Sequence, residues 1–249
     1  MIRLYMGDIH GDYSIAHEVY DHAIDTFLDG QIPDELIQVG DYGFGIADGM
    51  WNNSHGNHPL PNVRMFIDGN HEDHELLFTA SDKILDGWKY MQRGSIVDRT
   101  GYLGGAASAD KDLRIKHSND LYGYVVGSIW SKFEELEQKD IFAFADAAGL
   151  IDFEFDTIVS HTFPSICDML WATNPLFGSD ERKLETTRML LQWVYQNYRD
   201  QIKLWVGGHW HRGKHWRERD TQFVLLNTVS SLPSRNWEHI NQCFYIEER

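Results

Sequence analysis

The run Ile2-Arg3-Leu4-Tyr5-Met6 passes directly into Gly7-Asp8-Ile9-His10-Gly11. A short, nearly continuous apolar segment is what a strand covered on both faces looks like. Its abrupt end in glycine and polar residues puts a carboxylate and an imidazole at the strand's carboxyl end. In extended backbone, residues two apart share a side, so Asp8 and His10 can reach one ion together. The pattern recurs. Leu36–Val39 runs into Gly40-Asp41-Tyr42-Gly43, and Val63–Ile67 into Asp68-Gly69-Asn70-His71-Glu72. Thr157–Val159 runs into Ser160-His161-Thr162, and Leu204–Val206 into Gly207-Gly208-His209-Trp210-His211. His209 and His211 repeat the spacing of Asp8 and His10. Glycines at these places suit tight turns and close backbone approach. Ligands in open α/β sheets bind at the carboxyl ends of strands, so the five ends can converge on one crevice.

Between these runs the apolar period changes. Ile15, Val19, Ala23, Ile24, Phe27 and Leu28 recur at threes and fours, which predicts a helix capped by Asp12 or Ser14 and ended by Gly30 and Pro33. A second helix is expected over about Glu181–Asp200, with Leu184, Leu191, Val194, Tyr195 and Tyr198 on one face. Shorter helices are expected at Ser131–Glu137 and Lys139–Ala148, and late strands at Phe223–Leu226 and Cys243–Ile246. Strand and helix alternate early and strands cluster late. The expectation is an α/β sandwich with helices outside the sheets.

Length and composition narrow the classes. At 249 residues one core is the default, so residues 1–249 are read as a single domain. Hydrophobic residues at 42% and charged residues at 24% exclude disorder as the main state. No run of 18 apolar residues suggests a membrane span. The opening residues do not read as a signal peptide, and Cys167 and Cys243 cannot build a disulfide framework, so a cytoplasmic location is expected. The net charge of −16 argues against sequence-independent binding of nucleic acid, while leaving room for an anionic substrate at a locally positive site. The 13 histidines are the informative excess, because imidazole is a frequent ligand, acid and base.

Asp8-Ile9-His10, Gly40-Asp41-Tyr42-Gly43, Gly69-Asn70-His71-Glu72, Ser160-His161 and Gly208-His209-Trp210-His211, in this order, resemble the five motifs of the calcineurin-like metallophosphoesterases, including bacterial and phage members. The resemblance implies a four-layer α/β/β/α sandwich and a binuclear metal centre. By that resemblance one ion is held by Asp8, His10, Asp41 and His211, and the other by Asp41, Asn70, His161 and His209, with Asp41 bridging. His71 points to the substrate and assists the leaving group. The implied reaction is hydrolysis of a phosphomonoester or phosphodiester by in-line attack of a metal-bridging hydroxide. The substrate is then a phosphorylated small molecule or a phosphoprotein. The ligand set is all nitrogen and oxygen, which suits Mn, Fe, Zn, Co or Ni; manganese is expected by resemblance only. The Ser/Thr protein phosphatases of this family carry an arginine after Gly-Asp, and Gly40-Asp41-Tyr42-Gly43-Phe44-Gly45 has none. Protein phosphatase, nuclease and non-catalytic scaffold remain alternatives. Retention of His71 and of every ligand type argues against the scaffold.

The other polar features receive plainer readings. Arg212, Lys214, His215, Arg217 and Arg219 form a basic cluster, read as a solvated hairpin with Gly213 in its turn. The basic segment Asp110–His117 is treated in the same way. Gly101-Tyr102-Leu103-Gly104-Gly105-Ala106 is read as one wall of the cleft. His55 and His58 fall in a polar loop, Trp51–Leu60, read as a mobile surface loop. His17 and His22 are expected at the surface or rim of the first helix, and His74 in a structural position. His117, His215 and His239 receive no role. Trp210, Tyr42 and Phe44 are expected to pack rather than ligate.

Overall fold

A computed structural model of the chain describes residues 1–54, 56–108, 111, 131–167, 186–230 and 237–249. The first half yields β1 (Ile2–Met6), α1 (Tyr13–Phe27), β2 (Glu35–Gln38), β3 (Val63–Phe66), α2 (His74–Leu77), α3 (Asp82–Leu85) and β4 (Trp88–Tyr90). There follow β5 (Ser95–Val97), β6 (Thr100–Leu103), α4 (Gln138–Leu150), β7 (Thr157–Ser160), α5 (Thr186–Tyr198) and β8 (Leu204–Gly207). The chain closes with β9 (Lys214–Glu218), β10 (Thr221–Leu225), α6 (Trp237–Ile240) and β11 (Phe244–Glu248).

The strands make two sheets, in the orders β11-β1-β2-β3-β4 and β5-β6-β7-β8-β10-β9. In the first, β1 to β4 are parallel and β11 pairs antiparallel with β1. In the second, β6, β7, β8 and β10 are parallel, flanked by antiparallel β5 and β9. Alternation along each strand divides the core into layers. Leu4, Met6, Leu36 and Phe66 pack with Val19, Tyr20 and Ile24 of α1. Tyr5, Ile37, Met65 and Ile67 instead meet Val159, Val206 and Val224 between the sheets. On the far side Ile158, Trp205, Phe223 and Leu225 pack with Phe144 of α4 and Leu191 and Val194 of α5. Both sheets are therefore covered on both faces, which is why their strands read as unbroken apolar runs, and the layering is α/β/β/α. Arg3, fully buried, pairs with Glu35 in its own sheet and donates to Thr100 Oγ1 of the other at 2.8 Å.

Several expectations hold locally. The Asp12 side chain accepts from Ile15 N, capping α1, and α4 covers the expected Lys139–Ala148. Leu191, Val194, Tyr195 and Tyr198 are on the buried face of α5; Leu184 and residues 181–185 lie outside the described residues. Other expectations need correction. Residues 131–137 form turns and bends rather than a helix, because Arg93 draws the carbonyls of Phe133, Glu134 and Glu135 onto its guanidinium. The β9–β10 turn lies at Arg219 and Asp220 rather than at Gly213. His17 is fully buried, accepting from Trp51 Nε1 at 3.1 Å and contacting His58 O at 2.9 Å. The Trp51–Leu60 loop is correspondingly anchored: Trp51 is core, and Asp21 accepts from Asn57 N and His58 N. His22 is half-buried, and His74 is buried as expected. Tyr42 and Phe44 lie in one core and Trp210 in another. His55, and Asp110–His117 apart from Lys111, fall outside the described residues. No helix among the described residues is long and apolar enough to cross a membrane.

Candidate metal centre

Backbone bonds gather the strand ends before any side chain is considered. Ile9 N and His10 N both donate to Asp41 O, at 3.1 and 2.7 Å. The Asp41 carboxylate reaches the next loop, where its Oδ1 accepts from Asn70 N at 2.9 Å and His71 N at 2.8 Å. Asp8 accepts from His209 N at 2.9 Å through Oδ2, and its carbonyl takes Val229 N and Thr228 Oγ1. The close approach needs glycines. A Cβ on Gly40 would stand 2.4 Å from His161 Nδ1, one on Gly69 2.2 Å from Asp41 Oδ1, and one on Gly208 2.0 Å from Asp8 Oδ1.

Two groups of donors result. Asp8, His10, Asp41 and His211 offer ligand atoms all within 4.8 Å of one another, and so do Asp41, His161 and His209. Asp41 belongs to both. Nε2 of His10 and Nε2 of His211 face each other at 3.1 Å, and Asp41 Oδ2 lies 3.6 Å from the former. Asp8 Oδ2 is 3.5 Å from His211 Nε2. His161 turns Nδ1 to the carbonyl of Val39 at 3.0 Å, which directs Nε2 inward, 3.3 Å from Asp41 Oδ2. That Nε2 is buried and makes no hydrogen bond among the described residues. A buried ring nitrogen without a hydrogen bond, aimed at a carboxylate amid other convergent donors, fits a cation between them. The set is nitrogen and oxygen throughout, as Mn, Fe, Zn, Co or Ni prefer.

The expected geometry is corrected in one respect. His10 and Asp41 have φ of 49° and 54°, and His209 and His211 have φ of 73° and 49°. These are left-handed residues in turns, so extended backbone is not what brings Asp8 and His10 together. Left-handed backbone costs a non-glycine residue on the order of 1–3 kcal/mol and persists where surroundings over-determine it, commonly at functional sites.

Electrostatics favour the ligating forms of most rings. Burial pushes His10 down to about 4, and burial also lowers His209 and His211. A neutral imidazole is the form that ligates. Burial disfavours charge on His161 too, but Asp41, Asp8 and Glu72 outweigh it and lift that ring to about 10. Burial, with Asp41 beside it, raises Asp8 to about 7. Burial opposes ionisation of Asp41, yet His161, His71 and His10 hold it well below the usual carboxylate range.

Of the remaining site candidates, Asn70 is buried with its backbone on Asp41 and its Nδ2 on Ser108 Oγ. His71 is half-buried, stands outside both donor groups, and has its ring centroid 5.0 Å from that of His10. Sequence reasoning missed the supports. Glu72 accepts from Gly43 N and Gly69 N, and burial beside Asp41 raises it to about 8. Asp68 accepts from Arg93 Nε at 2.9 Å and Tyr90 OH at 2.9 Å. Burial opposes its charge, but Arg93 and His74 hold the carboxyl far below its ordinary value. Both acids stood in the quoted Asp68–Glu72 run, a usable signal; Arg93 and Tyr90 had none. Gly104 packs closely on Asp68, where a Cβ would stand 2.2 Å from Oδ1. The basic residues of β9 are mostly exposed, as expected of a surface hairpin. A separate cavity of about 480 Å³, lined by Phe78, Tyr90, Arg93 and Phe133 among others, contains none of the donors.

No protein-family model and no curated protein matches the chain. Solved structures do. A candidate 5'-nucleotidase from Staphylococcus aureus, solved with alpha-ketoglutarate, aligns at a TM-score of 0.51 and 11% identity, over 92% of this chain and 48% of its own. The protein TT1561 of Thermus thermophilus aligns at 0.49 and 10% identity, over 92% and 90%. Phosphopantetheinyl hydrolase from Mycobacterium tuberculosis aligns at 0.48 and 15%, over 91% and 89%. The chain thus spans about half of the Staphylococcus protein. At these identities the likeness concerns fold alone, and that fold is the α/β/β/α sandwich described above.

Proposed function

We propose that the protein is a metal-dependent phosphoesterase of the calcineurin-like kind, acting on a phosphorylated small molecule or a phosphoprotein. The observation that carries this reading is the sharing of Asp41 by two donor groups. Asp8, His10, Asp41 and His211 would hold one divalent ion, and Asp41, His161 and His209, joined by Asn70, would hold the other. Two such ions supply Lewis acidity toward phosphoryl oxygens and make a water acidic enough to act as nucleophile near neutral pH. The chain's own residues do the rest. Asp41 and Asp8 keep the negative charge of the cradle low for the number of ions held, so an anionic ester is attracted despite the net charge of −16. His71, outside both groups and half-buried, is available to donate a proton to the leaving oxygen. The buried Val39 carbonyl and the Asp41 contacts fix His161 in one orientation.

Chelator-stripped protein should lose hydrolysis of p-nitrophenyl phosphate or bis(p-nitrophenyl) phosphate. Manganese should restore it while elemental analysis counts two ions per chain. Full activity in stripped protein would refute the reading. With activity restored, comparison of monoesters, diesters, nucleotides and phosphopeptides identifies the substrate class.

A further inference from the structure

Asn70 ends in an amide whose two faces are sterically alike and chemically opposite. Only its oxygen can ligate a cation; turned the other way, it would offer an NH2 group and repel one. The neighbourhood decides between them. Asn70 Nδ2 lies 3.1 Å from Ser108 Oγ. Ser108 Oγ lies 2.7 Å from Glu134 Oε2, and Ser108 N lies 2.8 Å from Glu134 Oε1. The Ser108 hydroxyl donates to Glu134 Oε2, so the serine's single hydroxyl proton is committed there. Its lone pair then faces Asn70, which must answer with N–H.

We propose that Glu134 and Ser108 are positioning residues that lock the Asn70 amide with its oxygen toward the centre. This rests on the reading of Asn70 as a ligand of the second ion. The relay is itself well founded. Glu134 is fully buried, its carbonyl accepts from Ala106 N at 2.9 Å, and Arg93 binds the carbonyls on either side of it. Arg93 also holds Asp68, whose carbonyl takes Gly105 N at 2.7 Å. The Gly104-Gly105-Ala106 turn thus delivers Ser108 to Asn70 and anchors it to the same strand end that carries Asn70.

The test is Glu134→Gln, which keeps the shape. The glutamine can donate to Ser108 Oγ, which frees the hydroxyl proton for Asn70 and favours the flipped amide. Cobalt titration, read by visible absorption and by elemental analysis, should show the second ion bound about 10–100-fold more weakly, as outer-shell losses typically do. Affinity for the first ion and the melting temperature of the metal-free protein should change little. Ser108→Ala should weaken the second ion similarly, and the double variant should be no worse than the weaker single, because both act through one amide. Asn70→Asp supplies a rescue. A carboxylate has oxygen at both ends, so in that background Glu134→Gln should cost nothing. Wild-type affinity for the second ion in Glu134→Gln, or an equal loss in both backgrounds, overturns the relay while leaving the two-ion reading intact. Fewer than two ions in the wild-type protein overturns both.

Discussion

Oδ1 of Asp41 is spent on two backbone donors, Asn70 N and His71 N, so Oδ2 is the atom that meets the imidazoles of His10 and His161. Replacing that one oxygen therefore separates ligation from scaffolding. Asp41→Asn can keep the loop bonds through its amide oxygen but turns NH2 toward the rings. Elemental analysis should find both ions largely lost, with activity lost in parallel. His71 makes the opposite prediction, since it belongs to neither donor group. His71→Ala should retain two ions and lose about 10²–10⁴-fold in kcat, the usual worth of a general acid. The defect should shrink for esters with good leaving groups, which need no protonation. Loss of metal instead would show that His71 ligates.

At the scale of single elements, the strand ends work because glycine allows backbone to press against ligands. Gly208 follows β8 and has no left-handed φ, so its role is space: a Cβ there would meet Asp8 Oδ1 at 2.0 Å. Gly208→Ala should displace Asp8 and weaken the first ion by about tenfold or more, with overpacking costing about 1–3 kcal/mol in a denaturant titration. Gly149 is the control. It lies in α4 with nothing within 4 Å of its would-be Cβ, so Gly149→Ala should stabilise the helix by about 0.5–1 kcal/mol and leave metal uptake unchanged. Element-level reading of the sequence succeeded for α1, where Asp12 sits at the cap and apolar residues recur on one face. It failed at residues 131–137, where local pattern suggested helix but Arg93, some forty positions away, holds the carbonyls. Propensity gives no view of a partner so distant in the chain.

For the molecule as a whole, closely packed layers leave ionisable groups no water to charge into. Burial raises Tyr5, Tyr20, Tyr42 and Tyr102, and it pushes the Cys243 thiol up to about 12. The unfolded thiol ionises near about 8.5. Between these values the unfolded chain binds fewer protons than the folded one, so stability falls as pH rises. Linkage makes the loss from Cys243 alone about 2 kcal/mol between pH 7 and pH 10. Denaturant titrations at both pH values should show wild-type protein falling further than Cys243→Ala by that amount. An equal fall in the two proteins would mean that the thiol is not insulated. Cys243 lies in the core one residue before β11, where the sequence expected the strand to begin, and the size of its shift depends on neighbours gathered from elsewhere.

Periodicity and strand-end chemistry were properties of the chain read alone. Unbroken apolar runs announced sheets covered on both faces, and Asp8, His10, Asp41, His161, His209 and His211 stood at the strand ends that the fold gathers into two groups, because residue type and short-range spacing are local. The left-handed turns at His10, Asp41, His209 and His211, the burial of His17 by Trp51, and the chain of bonds from Glu134 through Ser108 to Asn70 came only with three-dimensional packing. Each depends on contacts between segments far apart in sequence, and no local pattern encodes the energy of such a contact.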